Sequence, residues 1–171
     1  MPPLSDRDFH RSLKSRSFAP AYYFHGEEEL LKENAVRALL EGAVDPGTRD
    51  FNLDVRRGGD LDAEALLSLV GTPPMMAERR AVVVRDVGAL KKDARQALDR
   101  YLAKPASETV LVLVAPAGAK PEKSLEERTT AVLFNPLGGD RLLLLGLGVS
   151  GEEEGEPADH DPQHDARVVR H

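Results

Sequence analysis

Five short apolar runs, rich in β-branched or aromatic residues and separated by stretches of helical spacing, restrict this chain to very few folds. The runs are AYYFH at 21–25, FNLDVR at 51–56, AVVVRDV at 81–87, VLVLVA at 110–115 and AVLF at 131–134. Each is short enough for a buried strand and bounded by turn formers. The intervening residues 27–40, 61–70, 90–102 and 122–130 have helical patterns, and a further helix over 5–14 precedes the first run. Leu30, Leu31, Val36, Leu39 and Leu40 share one side of the first intervening helix, with Gly42 as its expected stop. Strands alternating with helices predict right-handed crossovers and a doubly wound, mostly parallel, five-stranded α/β sheet. In such sheets the functional surface lies at the carboxyl ends of the strands, which directs attention to the segments after residues 25, 56, 87 and 115.

Charge narrows the functional classes. The net charge of −6 is concentrated late: seven of the 29 acids but two of the 23 bases lie after residue 141. The preceding part carries 22 acids and 21 bases, so it is neither a basic nucleic-acid binder nor an acidic decoy. The absence of cysteine excludes disulfides and thiolate metal sites and permits a reducing cytoplasm, the expected location. No secretory signal is legible in MPPLSDRDFHRSLKSR, and the apolar run at 142–149 is too short to span a bilayer. Three segments are expected: a helix and lead-in over 1–19, an α/β domain over 20–141, and a disordered tail over 142–171 too polar to form a core.

The first strand–loop–helix unit is the place where a nucleotide hydrolase carries GxxxxGK[ST], whose glycines let backbone amides wrap phosphate. Gly26 is present, but Glu27, Glu28 and Glu29 follow it, with no second glycine and no Lys-Ser/Thr pair. Three carboxylates repel a triphosphate while complementing the positive end of a helix dipole. The expectation is a degenerate phosphate loop that holds no nucleotide. In the segment GTPPMMAERR, Met75 and Met76 follow two prolines. They either cap the local core under the loop or are displayed, where flexible, polarizable side chains suit another protein's pocket. Asp86, at the expected end of the third strand, stands where a receiver domain keeps its phosphoacceptor, with Glu27 and Glu28 after the first strand. However, the lysine a receiver needs after the fifth strand is missing, Lys120 lying after the fourth, and a turn or cap role is expected for Asp86. Lys91, Lys92, Arg95 and Arg100 alternate with Asp93 and Asp99, as on an exposed helix face. Neither a metal motif nor a catalytic one occurs.

Three stretches together resemble the amino-terminal domain of the DNA polymerase III delta subunit family of bacterial clamp loaders. They are YFHGEEELLKENAVRALL, PPMMAERRAVVVRDVGALKK and TVLVLVAPAGAKPEKSL, in the family's order and spacing from about residue 21 to 140. The resemblance implies an AAA+-like core that has lost its ATP site. It implies a subunit that binds and opens the sliding clamp (the beta subunit) during DNA replication, with no cofactor, metal or catalysis of its own. The polymerase holoenzyme it serves is the nucleotidyltransferase. In that family an apolar pair enters a pocket on the clamp; the matching positions are Met75 and Met76, in place of the usual leucine–phenylalanine type of pair. Other loader subunits join through helical collar domains, DNA is met only through the complex, and no membrane is involved. After Arg141 the pattern stops, and LLLLGLGVSGEEEGEPADHDPQHDARVVRH reads as a truncated or frameshifted continuation. A stand-alone receiver-like or nucleotide-binding α/β signalling domain is the competing expectation.

Overall fold

Valine and leucine in unbroken runs need cover on both faces of a strand, and the fold supplies it. The computed structural model describes residues 1–136; the expected tail, with the leucines at 142–145, lies outside the described residues. In chain order the elements are β1 (Leu4–Ser5), α1 (Asp6–Lys14), β2 (Ala21–His25), α2 (Glu29–Ala43), α3 (Arg49–Asn52), β3 (Leu53–Arg57), α4 (Ala63–Gly71), β4 (Arg80–Arg85), α5 (Lys92–Ala103), β5 (Thr109–Val114), α6 (Lys123–Arg128) and β6 (Thr130–Leu133). The strands form one six-stranded sheet in the order β1-β6-β2-β5-β4-β3, and every pairing is parallel.

Side-chain alternation sorts the core into two layers. Tyr22, Phe24, Val83, Val112 and Val132 face one way and pack with Phe9 of α1 and Val36, Leu39 and Leu40 of α2. Tyr23, Val82, Val84, Leu111 and Leu113 face the other way, against Leu66 and Val70 of α4, Leu98 and Leu102 of α5 and Leu125 of α6. β4 and β5 lie inside the sheet and are buried almost throughout. β3, at the edge, runs from half-buried to exposed.

Four expectations need correction. The sheet has six strands rather than five, because Leu4–Ser5 pairs with Val132 and Leu133; two residues carry no readable alternation. Gly42 does not stop α2, which continues to Ala43; instead Gly42 admits Phe18, whose ring would lie 3.1 Å from an added Cβ. The third expected strand ends at Arg85, because Asp86 turns into the left-handed region at φ 54°. Residues 51 and 52, expected in a strand, close the short helix α3, and pairing with β4 begins only at Leu53 opposite Ala81.

Strand order also bears on the receiver-like alternative. A flavodoxin-like sheet, the receiver type, sets its first strand between the second and third. Here β2, the first of the five expected strands, lies between β6 and β5. β5 therefore separates Asp86 from the loop that carries Glu27 and Glu28, and among the described residues no cluster of three acids or histidines could hold a metal ion.

Candidate functional site

Because every strand runs the same way, the loops divide into two sets at opposite ends of the sheet. The carboxyl end holds the would-be phosphate loop, which is only three residues long, 26–28, between β2 and α2. Gly26 has φ 116°, and a Cβ there would lie 2.3 Å from the Phe134 carbonyl oxygen, so only glycine fits. The Glu28 amide donates to that same Phe134 oxygen at 3.1 Å. Backbone that would circle a phosphate is thus packed against the chain leaving β6.

Lys32 completes the closure. Its side chain is fully buried, and its ammonium donates to Gly26 O at 2.9 Å, Ala115 O at 2.8 Å and Glu29 Oε1 at 2.7 Å. Three protons meet three acceptors, leaving none for an incoming ligand. Sequence reasoning missed this residue. The signal was present: Gly26 and Lys32 have the spacing of the first glycine and the lysine in GxxxxGK, with Leu31 in place of the second glycine and Glu33 in place of Ser/Thr. Glu33 is bound by Arg85 of β4.

The three glutamates differ in role. Glu28 is the N-cap of α2 but makes no side-chain cap bond, and Glu29 lies in the first turn, where its charge favours the helix dipole. Glu29 Oε1 also accepts from the Ala117 amide at 2.6 Å. The Lys32 hydrogen bond, aided by that amide, holds the Glu29 carboxyl below its ordinary pKa. Beside the loop, His25 is buried, stacks on Tyr23 at 4.9 Å, and has no hydrogen-bond partner on either ring nitrogen. Burial lowers its pKa; the Glu126 carboxylate, 3.3 Å from Nε2 but not in hydrogen-bonding geometry, only partly opposes that.

The amino end is built differently. Residues 72–79 connect α4 to β4 as an irregular loop. Met75 is 54% exposed and Met76 88% exposed, so both are displayed and neither caps the core. Met76 adopts φ 53°, a left-handed conformation unusual for a residue with a side chain. The loop's downstream end is fixed by Arg80, which is buried and paired with Asp54 of β3, and by Arg79, whose guanidinium lies 5.4 Å from the Phe18 ring centroid. Beside Met76 opens a cleft of about 680 Å³ whose wall includes Arg16, Glu41, Asp45, Glu78 and Arg79.

The structure does not bring the glutamate loop and the methionines together. Asp86 takes a turn position, as expected, without a side-chain cap bond. Of the expected basic face, Arg95 is bound to Glu122 and Ser124, while Lys91, Lys92 and Arg100 are exposed. A residue that sequence reasoning placed in a strand, Asn52, emerges as the anchor of the methionine loop. Its side chain bonds both the amide and the carbonyl of Met75.

Fold and loop geometry define an α/β protein of the AAA+-like class. Solved structures of that class resemble it at low identity: a gamma-subunit-related protein of DNA polymerase III from Thermotoga maritima (TM-score 0.60, 14% identity, 85% of this chain and 50% of that one) and Thermotoga maritima RuvB (TM-score 0.56, 10% identity, 77% and 43%). More specifically, residues 22–135 match the family described as DNA polymerase III, delta subunit, and the chain belongs to that family. The Bacillus subtilis DNA polymerase III subunit delta is 36% identical over 120 residues, covering 64% of this chain and 34% of that protein. The solved Bacillus subtilis DNA clamp loader delta protein superposes with a TM-score of 0.72 at 28% identity, covering 82% of this chain and 45% of that one. The chain thus spans about a third of the length of the curated relative it matches. Among the described residues no helix is long and apolar enough to cross a membrane.

Proposed function

We propose that this chain is a non-catalytic, clamp-binding module of a clamp loader, in which Met75 and Met76 enter an apolar pocket on the sliding clamp and favour its open form. The observation that carries this reading is the display of two adjacent methionines on an irregular loop of a delta-family domain. Soft, unbranched side chains adapt to a pocket whose shape they do not match in advance. A wedge that binds the open ring better than the closed one shifts that equilibrium by its differential affinity alone, so no nucleotide is needed in this subunit. The sealed loop at residues 26–28 and the fully engaged Lys32 support the absence of a nucleotide step.

Within this proposal residues 20–141 act as the module, without cofactor or metal, in the cytoplasm with the replication machinery. Contact with the other loader subunits, and through them with DNA, belongs to the helical domains that family members carry beyond this one. The test is direct binding of the chain to a purified sliding clamp by surface plasmon resonance, with and without Mg-ATP. Saturable binding that is indifferent to ATP is expected. No binding, or binding that requires ATP, overturns the reading.

A further inference from the structure

Asn52 ends α3 with its side chain fully buried, far from where an isolated helix end would leave a polar group. Its Oδ1 accepts from the Met75 amide at 2.7 Å; its Nδ2 donates to Met75 O at 2.8 Å and to Thr48 O at 3.2 Å. One planar amide thereby completes both backbone bonds of Met75, as a neighbouring strand would. The rest of the loop lacks such ties. The Thr72 amide still belongs to the end of α4, donating to Ser68 O, and the Arg80 amide already belongs to the sheet side, donating to Glu108 O. Pro73 and Pro74 have no amide proton to give. Among the described residues, the backbone of 73–79 makes no other hydrogen bond. Directly after the bracketed residue comes Met76 in its left-handed conformation, which persists in a residue with a side chain only where the surroundings impose it.

We propose that Asn52 is a positioning residue for the clamp-binding loop: its amide brackets the Met75 backbone and so holds Met75 and Met76 in their displayed geometry before the clamp arrives. The inference rests on the reading of these methionines as the clamp contact. A loop already ordered in the free protein loses less entropy on binding. Asparagine is specific for the task, since it presents a donor and an acceptor on one short plane. Aspartate keeps the acceptor and loses the donor, and alanine loses both.

Clamp affinity of the whole chain is to be measured for Asn52→Asp and Asn52→Ala, and for Asn52→Asp combined with Met76→Ala, with circular dichroism confirming the fold. Leu66→Ala, in the core layer on α4, serves as a stability control. Affinity is expected to fall at least tenfold in both Asn52 variants and to stay unchanged in the control despite its lower Tm. With Met76 already truncated, Asn52→Asp is expected to have a markedly smaller effect, because it acts through the pose of that side chain. A folded Asn52→Ala chain with native affinity overturns the inference, as does full additivity with Met76→Ala. If the double variant Met75→Ala/Met76→Ala binds normally, the clamp reading itself fails; if it loses binding while the Asn52 variants keep it, only the bracket fails. Should an Asn52 variant not fold, hydrogen exchange on the unaltered chain decides. A Met75 amide exchanging as freely as an open loop overturns the bracket, and strong protection supports it.

Discussion

The two ends of this parallel sheet solve opposite problems. At the carboxyl end, where related folds leave amides free for a ligand, the Glu28 amide and the Lys32 ammonium are engaged within the fold. Gly26 presses on Phe134, Glu28 donates to it, and Lys32 spends its three protons on Gly26, Ala115 and Glu29. At the amino end, the loop at 72–79 has one two-point tether and two displayed methionines. Polar groups satisfied within the fold give stability and no site; apolar groups left unburied give up stability and offer one. In the function proposed above, the fold serves as a frame for the methionine loop.

That contrast predicts separable mutant classes. Gly26→Ala, forced against the Phe134 carbonyl at a positive φ, is expected to lower unfolding free energy by about 4 kcal/mol. Lys32→Ala, which strips a donor from the buried Ala115 carbonyl, the part-buried Gly26 carbonyl and Glu29, is expected to lower it by about 3 kcal/mol. Denaturant titration measures both, and the folded fraction of either variant should bind the clamp normally. A loss of clamp affinity without unfolding would break the division between the ends.

The reverse pattern is expected for Met75→Ala/Met76→Ala: about 2–4 kcal/mol of binding lost, with unfolding free energy changed by no more than about 0.5 kcal/mol. Calorimetric titration with the clamp, beside a denaturation curve, checks the pair of numbers.

A smaller effect comes from His25. Its folded pKa is depressed by burial, so between the unfolded and folded values the unfolded chain holds the extra proton. Its contribution is therefore fully present above the ordinary value of 6.5 and declines as pH falls below it. Tm measured between pH 7.5 and 5 should fall less steeply in His25→Gln than in the unaltered chain; equal slopes would remove His25 as the source. Smallest of all, Phe51→Ala, which trims the exposed aromatic ring next to Asn52, is expected to weaken clamp binding about threefold, a peripheral rather than a central contact.

Legibility differed between the same two ends. The strands were readable because buried parallel strands must be apolar on both faces, and AVVVR and VLVLV can serve little else. The degenerate phosphate loop was readable as a departure from a known spacing. Lys32 stands at the lysine position of that spacing but was not singled out, since without the second glycine and the Ser/Thr it reads as a solvent-facing helical residue; its burial depends on Ala115, 83 residues away. Asn52 was misplaced for a related reason. The alternation in FNLDVR fits a strand, and nothing local reveals that Met75, 23 residues on, supplies partners for its side chain.

By itself, then, the sequence determined the parallel α/β class, the family, the altered phosphate loop and the two methionines as candidates, because hydrophobic period and motif spacing are local properties of a chain. The tertiary structure decided the strand order, the burial of Lys32, the display of Met75 and Met76, and the bracket made by Asn52. Each of these depends on which backbone groups distant segments bring within about 3 Å of one another, the reach of a hydrogen bond. No local pattern encodes that.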